Sequence, residues 1–231
     1  MAQGESAAPP GGGDLLDRLL RARAEGEAGM SDQQVRDELL TLFVAGHETT
    51  ATALCWTLYL LCRHPDLYQR ARAEVDALAQ DPTYQDLPRL AFLTRAFKEA
   101  LRLYPTVPFM TRDVTAPLEV DGHVLPAGTT VLLSPYATHR DPRHWPDPLR
   151  FDPERFTPAV EATRPRTAYL PFTAGPRVCI GNHFALMEAP LVLATLLRRV
   201  DLTLAQSAEV QPDPQITLRP LGSVKAQIRR R

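Results

Sequence analysis

Cys179 lies in a short loop whose residues are suited to holding its sulfur beside a flat ligand. The segment reads Phe-Thr-Ala-Gly-Pro-Arg-Val-Cys-Ile-Gly, from Phe172 to Gly181, with Gly175 and Arg177 shortly before the cysteine. The glycines allow a tight turn and a close approach of the backbone to a ligand. Backbone N–H groups in such a turn stabilise a thiolate, which is a suitable axial ligand for haem iron. The pattern predicts a haem-binding cysteine, and the alternative is a buried structural cysteine.

The order Phe-x-x-Gly-x-Arg-x-Cys-x-Gly resembles the cysteine-ligand loop of the cytochrome P450 superfamily of haem-thiolate monooxygenases. That family often has glycine where Thr173 stands. The resemblance implies haem b as the cofactor and Cys179 as its axial ligand. It assigns the rest of the cofactor-binding loop to Phe172, Gly175, Arg177 and Gly181.

A second motif, Ala-Gly-His-Glu-Thr-Thr from Ala45 to residue 50, lies within a long helical pattern. Gly46 costs about 1 kcal/mol relative to alanine inside a helix, so it is expected to serve a purpose. The Thr49 hydroxyl can bond to a backbone carbonyl and loosen the helix locally. Without the resemblance, this is an ordinary interior helix. With it, Thr49 and Glu48 deliver protons during oxygen activation, and Ala45 and Gly46 line the substrate pocket.

Three charged residues form a candidate structural network. Glu99 and Arg102 are three residues apart and share a helix face. Alone, such a pair is commonly exposed and contributes little to stability. Arg155, in Pro-Glu-Arg-Phe, supplies a second guanidinium for Glu99. The two elements resemble the Glu-x-x-Arg and Pro-Glu-Arg-Phe motifs of the same family, which implies roles in folding and haem retention.

The segment after Pro105 contains a candidate substrate wall and a candidate anion ligand. The resemblance assigns an apolar wall on the substrate side of the haem to Val107, Pro108, Phe109 and Met110. Arg112 corresponds to a family ligand of a haem propionate, and a guanidinium binds a carboxylate strongly in a bidentate geometry. Arg112 could instead pair with Asp113 or Glu119.

Composition excludes several classes of protein. The chain has 231 residues, 44% of them hydrophobic, and a formal net charge of −1, which gives no indication of nucleic-acid binding. Its 3 cysteines make no disulfide framework and favour a reducing, cytoplasmic location. The apolar stretch from Leu39 to Cys62 is interrupted by His47 and Glu48. We therefore expect a buried helix there and no membrane span.

The elements predicted from the pattern make a mainly helical fold with small β-sheets. Residues 1–13 are expected to be a disordered leader, and residues 14–231 the C-terminal portion of a cytochrome P450 fold. Helices are predicted at residues 14–25, from a Ser31 cap to about 63, and at 65–79, 89–103 and 182–199. Most of the 22 prolines lie between residues 105 and 176, which excludes long helices there. A hairpin is predicted at 118–125, a strand at 129–134 and two short strands between 216 and 228.

The resemblance implies insertion of one oxygen atom of O2 into an apolar organic substrate. The implied partners are that substrate, O2 and a ferredoxin- or flavodoxin-type electron donor. Members of the family are about twice as long as this chain, so we expect a C-terminal fragment without the N-terminal half. A non-catalytic haem-binding module and an inactive gene remnant are the alternative interpretations.

Overall fold

A computed structural model describes residues 13–24, 29–205 and 209–231. The predicted disordered leader lies outside this range except for Gly13. The chain forms two compact units, residues 1–48 and 49–231, and the division falls inside one helix. The α-helices are α1 (Leu15–Ala24), α2 (Asp32–Arg63), α3 (Pro65–Asp76), α4 (Ala91–Leu103), α5 (Pro135–Thr138), α6 (Pro158–Glu161) and α7 (Asn182–Arg199).

The first unit contains α1 and the first part of α2. The predicted cap of α2 is confirmed, since Ser31 Oγ accepts from the Gln34 amide at 3.2 Å and Gln34 Oε1 accepts from the Ser31 amide at 2.8 Å. Val35 is buried, whereas Phe43 and Val44 are 71% and 63% exposed. This part of α2 is therefore not enclosed on all sides by the described residues, contrary to the expectation of a fully buried helix.

The core of the second unit lies where α2, α3, α4 and α7 supply buried apolar side chains. Trp56 of α2 is fully buried, stacks on Tyr104 with 3.8 Å between ring centroids, and donates from Nε1 to the Leu218 carbonyl at 2.8 Å. The hydrogen bond satisfies the polar edge of a large apolar ring. Trp56 thus ties the long helix to the end of α4 and to a C-terminal strand.

Helix α4 starts two residues later than predicted, because a 3₁₀ turn (Tyr84–Arg89) precedes it. Its first turn is capped from outside: the Glu74 carboxylate accepts from the amides of Phe92 at 2.7 Å and Leu93 at 2.9 Å. These bonds satisfy two N–H groups that have no partner inside the helix. Burial raises the pKa of Glu74, and the two amide bonds act in the opposite direction.

Four antiparallel two-stranded sheets complete the described part of the chain. The pairs are β1 (Met110–Asp113) with β4 (Thr130–Leu133), β2 (Leu118–Val120) with β3 (His123–Leu125), β5 (Val200–Leu204) with β8 (Ala226–Arg230), and β6 (Pro212–Pro214) with β7 (Leu218–Pro220). The mainly helical class with small sheets is confirmed, as is the hairpin at Asp121-Gly122, where both residues have positive φ. The prediction for the C-terminal tail was incomplete. Its two strands are β7, which pairs with β6, and β8, which pairs with β5, and the sequence pattern did not show these partner strands.

Candidate functional site

Cys179 is exposed in a loop that leads into α7. Its amide donates to the Phe172 carbonyl at 2.9 Å and closes the loop, while Phe172 packs its ring against the core. Gly175 has a φ of 74°, a conformation that favours glycine, and begins the 3₁₀ turn Gly175–Arg177. The loop therefore holds the thiol at the surface of the second unit, and the alternative of a buried cysteine does not apply.

The surroundings of the thiol fit a flat, largely apolar macrocycle with acidic side chains. A Cβ added to Gly181 would lie 3.9 Å from Cys179 Sγ, so a larger side chain there would reach the space beside the sulfur. Val178 and Ile180, which flank Cys179 in the chain, are 47% and 88% exposed, and Phe184 at the start of α7 is 59% exposed. The donor set is a single accessible thiol within an apolar surface, which suits an axial thiolate ligand of haem.

Arg177 and Arg112 are both exposed cations. Among the ion pairs of the described residues none involves either of them. Arg112 lies on strand β1, where its Nη1 donates to the Thr111 carbonyl at 2.7 Å. Asp113, one of its predicted alternative partners, accepts instead from the Thr130 hydroxyl at 2.7 Å. Neither arginine is neutralised by a carboxylate in the described structure, so both suit an anionic ligand group.

The other two cysteines have a different environment. Cys55 and Cys62 are half-buried on α2, and burial raises the pKa of both thiols, that of Cys62 to about 11. The Cys62 thiol donates weakly to the Leu202 carbonyl, with 3.8 Å between sulfur and oxygen. Both remain protonated at neutral pH, whereas a metal ligand must be a thiolate.

Glu99, Arg102 and Arg155 lie together in the interior. Arg102 binds Glu99 in a bidentate pair, Nε to Oε2 at 2.6 Å and Nη2 to Oε1 at 2.8 Å, and both side chains are fully buried. Arg155 Nε lies 3.4 Å from Glu99 Oε1 without a hydrogen-bond geometry, and its Nη2 donates to the Asp147 carbonyl at 2.9 Å. Burial raises the pKa of Glu99, opposed first by the hydrogen bonds from Arg102 and then by the Asp152 amide.

The structure adds partners to this network that sequence reasoning missed. Besides Glu99, the Arg102 guanidinium donates to the carbonyls of His139 at 2.8 Å, Pro148 at 2.7 Å and Arg150 at 3.1 Å. These three carbonyls belong to the proline-rich segment between residues 105 and 176. One buried side chain therefore anchors an irregular stretch to α4.

His139 is a second buried polar residue of this segment. Its Nε2 accepts from the Leu170 amide at 2.8 Å, so the proton of the neutral ring is on Nδ1. Burial, followed by the charges of Arg102 and Arg140, lowers the pKa of His139 to about 3. The ring is therefore neutral at physiological pH and links the proline-rich segment to the chain that enters the cysteine loop.

The predicted substrate wall is partly open. Pro108 is buried, Val107 and Met110 are half-buried, and Phe109 is 48% exposed. A cavity of about 260 Å³ borders Pro108 and Phe109, and is also lined by Ser134, Tyr136, Pro212, Pro214 and Leu218. Met110 begins strand β1, so the wall continues directly into a sheet.

The β6–β7 hairpin forms the other side of this cavity, and sequence reasoning did not assign it to the site. The Leu218 amide donates to the Thr106 carbonyl at 3.0 Å, which holds the hairpin against the wall segment. Ile216, between the two strands, is 91% exposed. The signal that could have indicated the hairpin is the pair Pro212 and Pro214, since proline in a strand is typical of an edge.

The Ala45–Thr50 motif lies on α2, at the division between the two units. Ala45 and Gly46 are exposed, and Glu48 and Thr49 are half-buried neighbours. In the part of the chain that the structure describes, and apart from Gly46 itself, its two chain neighbours and the backbone of the adjacent helical turns, no atom lies within 4 Å of the position that a Cβ of Gly46 would take. Space is therefore available beside Gly46, and the proton-delivery roles of Glu48 and Thr49 stay predictions.

Comparison with known proteins decides the family. The profile of the family described as Cytochrome P450 matches residues 5–226. The chain belongs to the cytochrome P450 family. Cyclooctatin synthase of Streptomyces melanosporofaciens is 43% identical over 209 residues, which cover 89% of this chain and 46% of that protein. Human cytochrome P450 4F2 is 41% identical over 217 residues, 91% of this chain and 42% of that protein.

Solved cytochrome P450 structures share the fold. The haem domain of a cytochrome P450DA mutant superposes with a TM-score of 0.88 at 36% identity and covers 95% of this chain. The haem domain of cytochrome P450DA itself gives a TM-score of 0.84 at 34% identity and covers 94%. This P450 chain spans 49% and 53% of those two chains. It thus corresponds to about half the length of the relatives that it matches, and none of its described helices is long and apolar enough to cross a membrane.

Proposed function

We propose that the chain is the cysteine-ligand half of a haem-thiolate monooxygenase that inserts one oxygen atom of O2 into an apolar organic substrate. The observation that carries the proposal is the Cys179 loop, which presents an exposed thiol within an apolar surface. Membership of the cytochrome P450 family supports the same reaction class. We place the enzyme in the cytoplasm because its cysteines favour a reducing compartment.

Residues of four kinds would hold haem b. Cys179 would supply the thiolate ligand, and Gly181 leaves the space beside the sulfur free of a side chain. Arg177 and Arg112 are exposed guanidinium groups suited to the propionates. Phe172 anchors the loop to the core. When bound, haem with a thiolate ligand supplies the activation of O2.

Glu48 and Thr49 would control protons on α2. A carboxylate followed by a hydroxyl on the same helix can hold a proton and pass it towards a ligand pocket, and a positioned proton donor typically contributes about 10²–10⁴-fold to a rate. In the chain completed by a P450 N-terminal half, Thr49→Ala should leave haem content unchanged and divert electrons from product to peroxide. Full coupling of electron consumption to product in this variant would assign proton delivery to another group.

The substrate would meet the apolar surface made by Val107, Pro108, Phe109 and Met110, where Phe109 is the most exposed of the large side chains. Burial of apolar substrate area there is favourable and excludes water. Two electrons for each turnover would come from a ferredoxin- or flavodoxin-type donor. The test of the donor class is product formation by the chain completed with a P450 N-terminal half, using a surrogate ferredoxin and its reductase.

The decisive experiment for the thiol assignment is spectroscopic. Haem-reconstituted protein, reduced under carbon monoxide, should show the strongly red-shifted Soret band of thiolate ligation. Cys179→Ser should abolish that band. Cys55→Ser and Cys62→Ser are matched controls and should retain it, because burial keeps both thiols protonated. A red-shifted band in Cys179→Ser refutes the assignment.

This chain covers 46% of the length of cyclooctatin synthase and 42% of the length of cytochrome P450 4F2. We therefore expect turnover to require the part of the P450 domain that lies outside the matched region in these relatives. A reactive site must be closed to water, and α2 exposes Phe43 and Val44. The purified chain alone should bind haem weakly and form no product, and a P450 N-terminal half supplied in cis or in trans should restore both. Sustained product formation, inhibited by carbon monoxide, by the chain alone would contradict this expectation.

A further inference from the structure

Two hydrogen bonds fix the peptide group between Arg177 and Val178, just before the cysteine. The Val178 amide donates to the Gly175 carbonyl at 3.0 Å. On the other side of the same peptide group, the Thr173 hydroxyl donates to the Arg177 carbonyl at 2.7 Å. The next peptide group is held through the Cys179 amide, which donates to the Phe172 carbonyl at 2.9 Å. The Thr173 hydroxyl is the only side-chain group in this set.

The backbone of Thr173 has a conformation that threonine rarely adopts. Its φ is 63°, in the left-handed region. The other described residues with positive φ are four glycines and the aspartates 121 and 147, which tolerate this region better than a β-branched residue. A strained backbone persists only where its surroundings enforce it. Two hydrogen bonds hold the residue in this conformation here: the Thr173 amide donates to the Leu170 carbonyl at 3.3 Å, and the Thr173 hydroxyl donates to the Arg177 carbonyl at 2.7 Å.

Glycine at position 173 would adopt the same φ without strain but would lack the hydroxyl. The Arg177 carbonyl would then lose its donor, and only the amide side of that peptide group would be held. With threonine, the backbone conformation at this position is less favourable, but the loop gains one additional hydrogen bond, from the Thr173 hydroxyl to the Arg177 carbonyl. That hydrogen bond constrains the peptide group of Arg177 and Val178, the two residues that immediately precede Cys179.

We propose that Thr173 is a positioning residue, whose hydroxyl fixes the 177–178 peptide group and so presents the Cys179 sulfur in one conformation. The part of this inference that concerns haem ligation rests on the proposed function. The part that concerns the loop does not, because the hydrogen bonds are within the chain itself.

Three substitutions separate the hydroxyl from the shape of the side chain. Thr173→Val keeps the branched shape and removes the hydroxyl, Thr173→Ser keeps the hydroxyl, and Thr173→Gly removes both the hydroxyl and the strain. Hydrogen exchange of the Val178 and Cys179 amides, measured by NMR on the haem-free chain, should accelerate about two- to tenfold in Thr173→Val, the range expected for one hydrogen bond. Thr173→Ser should restore slow exchange, and the Ala185 amide in α7 serves as an internal control.

The second measurement uses the haem-loaded protein under carbon monoxide. Thr173→Val and Thr173→Gly should lose the red-shifted thiolate band faster on warming than the unsubstituted protein, and Thr173→Ser should match it. The inference is overturned if amide exchange is unchanged in Thr173→Val. It is also overturned if Thr173→Val loses the band at an unchanged rate while Cys179→Ser abolishes the band. Neither result contradicts the proposed function. If Cys179→Ser retains the band, the proposed function fails, and amide exchange alone decides whether Thr173 fixes the loop.

Discussion

Arg102→Ala is expected to be among the most destabilising single substitutions in the second unit. Arg102 and Glu99 are both fully buried, so the variant leaves a carboxylate in the interior with the Asp152 amide as its remaining hydrogen-bond donor among the contacts described above. Removing one partner of a buried ion pair costs about 3–5 kcal/mol. Three carbonyls of the proline-rich segment also lose their donor. We therefore expect a loss at the upper end of this range or insoluble protein.

The loss should depend on pH in a defined direction. Without Arg102, burial acts on Glu99 with less opposition, and the pKa of Glu99 in the folded protein rises further above its value in the unfolded chain. A raised carboxyl pKa means that the folded state binds the proton more tightly, so stability decreases as the pH rises from the unfolded pKa through the folded pKa. Arg102→Ala should thus be closer to the unsubstituted protein at pH 5 than at pH 8.

Urea unfolding, followed by far-ultraviolet circular dichroism and by tryptophan fluorescence, to which both Trp56 and Trp145 contribute, measures this difference. Trp145 is a suitable probe because its ring lies 4.9 Å from the Arg102 guanidinium carbon. Arg143→Ala is the control, because Arg143 also pairs with a carboxylate but is exposed, and its loss should leave the midpoint unchanged. A decrease below about 1 kcal/mol for a soluble Arg102→Ala protein would show that the pair contributes no more than a surface salt bridge.

Three further outcomes follow from the described contacts. Gly46→Ala should raise the free energy of unfolding by about 1 kcal/mol, because no described neighbour obstructs a Cβ there; a lower melting temperature would show that the glycine is required by a contact. Iodoacetamide at pH 8 should modify Cys179 well before Cys55 and Cys62, as peptide mass spectrometry can follow, since only Cys179 is exposed and burial raises the pKa of the other two thiols; equal rates would contradict their burial. The pKa of His139 is about 3 in the folded protein, below its ordinary value, so stability should fall as the pH falls from about 6.5 towards 3, and His139→Gln should flatten that fall in acid titrations.

The sequence was most informative where the geometry is local. The cysteine loop is closed by a bond between Phe172 and Cys179, seven positions apart, so the motif itself contains both partners. Helix α7 begins and ends at the predicted residues, because Gly181 precedes it and the change in pattern after Arg199 marks its end. Capping and turn residues act over one turn, which is why these boundaries are readable from a single sequence.

The sequence was least informative where a backbone group is the partner. The spacing of Glu99 and Arg102 indicates a pair, but the carbonyls that complete the site of Arg102 have no residue identity, and no pattern marks them. The pairing of strands that are distant in the sequence could not be predicted for the same reason. Leu202 of β5 lies opposite Ile228, and the residues between them give no turn signal that joins the two strands.

Every strand in the described part of the chain is an edge strand, because each sheet contains two strands. An edge is a template on which a further strand can add, and charged side chains are a common protection against this. In the β5–β8 sheet Arg229 and Asp201 form an ion pair at 2.7 Å. Strand β4, Thr-Val-Leu-Leu, has no charge and exposes Leu132 by 62% and Leu133 by 43%. Self-association of the isolated chain should therefore begin at β4, and Leu132→Lys should delay it.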